Sequence, residues 1–206
     1  TFTLSVVDPA SGLGSGPFGT ISVTESPLLG GSLIFTETLA AGFKIHETKP
    51  EDKPSNHNAF TFSLIGNPLV SVTGLPSGFT PVSLAASSDV DAPPFPNFYT
   101  GITCNDPACG SGYGGGYAGP LTFTVSTAGG GLSLSSLGFN TYGANSIYFT
   151  SDLVSVGATG NAGAVKDPTP AVPEPSTWAM MLVGFGAAGL SLRRRRRSVP
   201  NLMQAA

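Results

Sequence analysis

Polar and apolar residues alternate along most of this chain. Residues 59–65 give the clearest case, with Phe60, Phe62 and Leu64 on one face and Thr61 and Ser63 on the other. The same period of two runs through 1–7, 20–25, 32–39, 70–73, 79–84, 121–126 and 147–156. Successive side chains of a strand point to opposite faces, so strict alternation predicts half-buried strands. Gly, Pro, Asn and Ser break the segments at intervals that suit a β-sandwich or barrel. The pattern predicts an all-β body over residues 1–156, an antiparallel β-sandwich of jelly-roll or Ig-like type. Its core is expected to draw on Phe35, Phe60, Phe62, Leu64, Phe123, Val125, Phe149 and Val154.

The alternation stops near residue 157. Residues 157–172 are rich in Gly, Ala, Asn and Pro and read as a flexible linker. Residues 178–192 then carry no charge at all. As a helix they would span about 22 Å, short of a bilayer core of about 30 Å. The flanks make up the difference. Trp178 suits one membrane interface, and Arg193, Arg194, Arg195, Arg196 and Arg197 can reach the opposite headgroups. A single C-terminal transmembrane helix over 178–192 is therefore expected. The arginines would be cytoplasmic, with 198–206 as a short cytoplasmic tail and the body across the membrane.

Composition sharpens this division. Charged residues make up only 10% of the chain, while 40% is hydrophobic and mean hydropathy is +0.19. Glycine (28) and proline (18) are in excess, which disfavours bundles and coiled coils. The formal charge of −3 conceals a sorting of sign. All five arginines stand in the block at 193–197, while residues 1–172 hold four lysines against eleven acids. A body so acidic excludes nucleic acid as an expected partner.

Ahead of the apolar run stands Val172-Pro-Glu-Pro-Ser-Thr-Trp178. Pro173 and Pro175 hold the segment extended and present Glu174 from a helix-free stretch, a form that a processing enzyme can read in a groove. The order of Pro173, Glu174, Pro175, Trp178, the apolar run and the arginine block resembles the PEP-CTERM sorting signal, in its Pro-Glu-Pro-x-x-Trp-Ala variant. That resemblance covers residues 173–197. It implies an exported protein of a Gram-negative bacterium, held briefly in the inner membrane with its body in the periplasm. The implied partner is an exosortase-type enzyme that processes the tail near Pro173–Pro175. The implied destination is the cell surface or extracellular matrix, in association with exopolysaccharide and biofilm. Residues 1–7 alternate like a strand rather than a leader, so export implies a signal peptide removed ahead of Thr1 or a sequence truncated there.

The body offers little chemistry. It lacks a Gly-x-Ser-x-Gly elbow, a His-Glu-x-x-His pair and a phosphate loop, so no catalytic residue, cofactor or metal is assigned and an enzyme is not expected. His46 and Glu47 read as a surface pair on the charged loop 44–58 that also holds His57. Asp89 and Asp91 read as solvated turn carboxylates. Cys104 and Cys109, five apart around an Asp-Pro turn, are a candidate disulfide outside the cytoplasm. The proline-stiffened loop 89–99 and the Gly-rich loop 110–120 carry Phe98, Tyr99, Tyr113 and Tyr117, candidate contacts for a carbohydrate. The body admits two readings. One is a non-enzymatic envelope or matrix protein, and the other is a carbohydrate-binding module shown at the cell surface.

Overall fold

The computed structural model describes residues 1–26, 30–47, 58–82, 90–104, 109, 115–167 and 185. The chain divides into two units, Thr1–Asp167 and Pro168–Ala206. The first is all-β. It contains β1 (Phe2–Val7), β2 (Gly19–Ser26), β3 (Ser32–Leu39), β4 (Lys44–Ile45), β5 (Phe60–Phe62), β6 (Val70–Thr73) and β7 (Phe79–Val82). Next along the chain come β8 (Val90–Ala92), β9 (Phe95–Phe98), β10 (Thr100–Cys104), β11 (Leu121–Thr127), β12 (Asn140–Tyr142), β13 (Asn145–Ser155) and β14 (Ala158–Lys166).

Twelve of these strands form one antiparallel sheet, in the order β6-β11-β3-β2-β1-β14-β13-β5-β10-β7, with β12 and β4 also paired to β13. The expected two-sheet sandwich is thus corrected to a single sheet that curls over to a nearly closed, barrel-like form. Two features produce the curl. β1 hydrogen-bonds to β2 on one side and to β14 on the other, which removes the gap a sandwich would have there. Bulges at Leu4/Val6 and at Ile147/Phe149 then add bend and twist on either side of β14. The inner face of β14 is built from Ala158, Gly160, Ala162 and Ala164, residues small enough for the sheet to fold tightly across them.

Alternation fills the interior. In β11, Leu121, Phe123 and Val125 are buried while Thr122 is exposed. Phe35 stacks on its neighbour Phe123 at 5.0 Å and meets Phe62 at 5.1 Å and Phe149 edge-on at 5.8 Å. Because β3 and β11 belong to one half of the sheet and β5 and β13 to the other, these contacts cross the interior. All eight residues expected in the core are buried.

Three segments differ from the sequence expectation, and a fourth lies outside the described residues. The stretch read as a linker from 157 onward forms β14 as far as Lys166, and only 168–172 of it lies outside the described residues. Its small residues are there for packing, since a Cβ at Gly163 would lie 2.9 Å from the Phe95 ring. The loop 89–99 contributes the hairpin β8–β9, which lies on the outer face of the sheet. It buries Ala92, Phe95 and Phe98 against Ile147, with Val6, Tyr142 and Val165 around them. This outer layer explains why Thr61 and Ser63, expected to be wet, are buried. Thr61 Oγ1 bonds to Thr150 Oγ1 at 2.5 Å, and Ser63 Oγ accepts from the Tyr99 amide at 3.3 Å. Finally, the expected transmembrane helix over 178–192 lies outside the described residues except for Phe185, which is helical and exposed. Among the described residues no helix is long and apolar enough to cross a membrane.

Candidate functional site

The cysteine pair is a disulfide with a Cα–Cα distance of 5.9 Å. His46 and Glu47 are buried and brace it, which corrects their reading as a surface pair. Cys104 N donates to Glu47 Oε2, and His46 Nδ1 donates to the Cys109 carbonyl at 3.3 Å. Both side chains thus serve the local structure. His57 and Asp89 lie outside the described residues. Among the described residues no three His, Cys, Asp or Glu side chains gather as a metal site.

Glu37 is another buried acid. It points from β3 into the apolar interior, paired with Ile21 of β2 and Leu121 of β11. Burial pushes its pKa up from the ordinary 4.5 to about 8. Ser151 Oγ donates to the Ala59 carbonyl at 3.1 Å, and neither Glu37 carboxyl oxygen has a hydrogen-bond partner. At neutral pH the native protein therefore holds Glu37 protonated.

The candidate ligand-contact aromatics do not form one platform. Phe98 is fully buried beneath the β8–β9 hairpin and can touch no ligand, a correction that comes from its place in the outer core. Tyr117 packs edge-on against Phe79 at 5.0 Å, and its hydroxyl donates to the Pro120 carbonyl at 3.0 Å. Tyr113 lies outside the described residues. Tyr99 lines a cleft of about 270 Å³ between the turn at 64–67 and residues 137–140.

The cleft floor is stitched by the backbone. Ile65 N donates to Ser136 O at 2.8 Å, and Gly138 N donates to Ser63 O at 2.9 Å. Gly138 eases this approach, since a Cβ there would lie 3.3 Å from the Ser63 carbonyl oxygen, a tight contact. One lip carries Ile65, Gly66 and Asn67. Gly66 has φ +77°, and Asn67 is the single non-glycine residue with positive φ (43°) among the described residues. Asparagine tolerates that left-handed conformation better than most side chains. The other lip carries Phe139, which is 53% exposed, and Asn140, whose Nδ2 donates to Asn97 O at 2.9 Å. Sequence reasoning missed Ile65, Asn67, Phe139 and Asn140. The one signal available was Gly66-Asn67, a pair suited to a turn with positive φ.

The described body is therefore a disulfide-stapled β-fold, and the segment C-terminal to it decides the class of the protein. Residues 171–196 match the family described as the PEP-CTERM protein-sorting motif. The chain is thus a protein bearing a PEP-CTERM sorting signal, which implies export, processing by an exosortase and sorting to the cell envelope. The match takes in Pro173, Glu174, Pro175, Trp178 and four of the five arginines, all outside the described residues. No curated protein and no solved structure matches the chain.

Proposed function

We propose that this chain is a non-enzymatic protein of the cell envelope or extracellular matrix of a Gram-negative bacterium, associated with exopolysaccharide and biofilm. Residues 178–192 anchor it transiently in the inner membrane with Arg193 to Arg197 in the cytoplasm. Exosortase processes the tail near Pro173–Pro175, and the body passes to the surface. The observation that carries this reading is the sorting motif at 171–196, which begins just after a self-contained unit ends at Asp167. The disulfide supports it, because such bonds persist in oxidising compartments. The non-enzymatic part is supported by the use of Glu37 in the core and of His46 and Glu47 around the disulfide.

Mass spectrometry of the exported protein in an exosortase-bearing host tests the route. The mature form should yield no peptide from the arginine block, and replacing Pro173, Glu174 and Pro175 by alanine should hold the protein in the inner membrane. An intact tail on the extracellular form would refute the proposal. A second reading, a carbohydrate-binding module, is favoured by one observation, the cleft that Tyr99 lines.

A further inference from the structure

We infer that the cleft between the 64–67 turn and residues 137–140 binds one neutral pyranose unit of a glycan. This rests on the carbohydrate-binding reading and gives it a site and a ligand class. A pyranose offers an apolar C–H face and a rim of hydroxyls, each both donor and acceptor. Its recognition calls for an open aromatic face beside uncharged groups that can donate and accept together.

The cleft supplies both. Phe139 is 53% exposed although its ring packs on Tyr148 at 5.4 Å, so part of a large apolar surface stays open at the lip. Ile65, 68% exposed, faces the same space from the other lip. Between them stand two carboxamides. That of Asn67 makes no hydrogen bond within the described residues, and that of Asn140 spends its Nδ2 on Asn97 O and keeps its carbonyl oxygen as an acceptor. Each amide can engage neighbouring hydroxyls through one donor and one acceptor. Tyr99 lines the same cleft.

The charge state sets the ligand class. Among the described residues no lysine, arginine, aspartate or glutamate lines the cleft, so a uronate would find no cation to pair with its carboxylate. At about 270 Å³ the cleft lies just below the range of drug-sized sites, which suits a single ring. It is preorganised as well. Backbone bonds fix the floor, and the Tyr99 amide bond to Ser63 ties the third wall to it.

The test uses the full chain in a sugar-free zwitterionic detergent, with methyl glycosides of glucose, galactose, mannose, N-acetylglucosamine and glucuronic acid as probes. Saturation-transfer NMR should show at least one neutral glycoside bound, with Kd on the order of 1 mM as befits a small ligand, and glucuronide unbound. Phe139→Ala should weaken binding about tenfold by removing the stacking surface. Asn67→Gly keeps the backbone's positive φ and removes only the carboxamide, and it should weaken binding several-fold with the fold intact by circular dichroism. Binding of a neutral glycoside that neither variant changes would overturn the cleft and leave the carbohydrate reading standing. Retention on a polysaccharide array with no glycoside bound would do the same. No binding to any sugar in either assay would overturn the cleft and the carbohydrate reading together, while the sorting reading stands on its own mass-spectrometric test.

Discussion

Glu37 makes the pH dependence of stability a sharp test of the core. Its carboxyl is buried between Ile21 and Leu121, with Ser151 the polar neighbour from β13. Below pH 4.5 both the native and the unfolded chain hold the proton, and the group has no effect on stability. Between 4.5 and about 8 the unfolded chain loses the proton and the native state keeps it, so the native state binds more protons. Stability must then fall as pH rises, by about 1.36 kcal/mol per pH unit. The loss reaches about 3 kcal/mol at pH 7 and about 5 kcal/mol by pH 8, and is constant above that. Glu37→Gln abolishes the titration and keeps the shape, but it buries two N–H donors without partners where the acid buries one O–H, at about 1–3 kcal/mol. The two stability curves should therefore cross. The variant is the weaker protein near pH 4.5 and the stronger one near pH 8, by about 2–4 kcal/mol. Urea unfolding at a series of pH values measures this on Thr1–Asp167, a unit whose first and last strands are paired neighbours. Parallel curves, offset by a constant, would refute the buried protonated state.

Replacing Cys104 and Cys109 together by serine should lower stability by about 2 kcal/mol, the closure entropy of so short a loop. Reductant should then lower the melting temperature of the wild type and leave the double variant unmoved. Gly163→Val would drive a side chain into the Phe95 ring and should cost about 1–3 kcal/mol, with faster amide exchange in β9. Gly129→Ala, where a Cβ meets open space, is the control and should change neither quantity.

Period-two alternation made the inner face legible, because a strand buried on one side writes its burial into every second residue. β2, β3 and β11 fall where the pattern puts them. It failed wherever both faces are covered. β14 runs under the β8–β9 hairpin on one side and along the crease of the sheet on the other, and Gly163 and Ala164 satisfy these two constraints by being small. The result has the composition of a linker. β9 was hidden differently, since Pro94 and Pro96 flank Phe95 and argue locally for a loop. The same outer layer took Phe98 out of contention as a ligand contact and left Tyr99, the next residue, at a cleft.

The sorting signal and the candidate cleft differ in legibility for a physical reason. A sorting signal is read as an extended peptide with an apolar run and a charge block behind it, so its meaning is local in sequence and Pro173, Glu174 and Pro175 could be picked out directly. The cleft is assembled from residues 63–67, Tyr99 and 137–140, brought together by a backbone bridge between Leu64 and Leu137. Nothing local marks Phe139 as exposed or Asn67 as unengaged. What distinguishes it, uncharged walls and an unspent carboxamide at Asn67, is not displayed by a sequence until the fold has assigned the other polar groups their partners. Charge shows the same dependence. Counting carboxylates makes the body strongly acidic, but with a pKa of about 8 Glu37 is largely neutral at pH 7 and takes one negative charge out of that count. The net charge of the body is therefore set by the fold as well as by the composition.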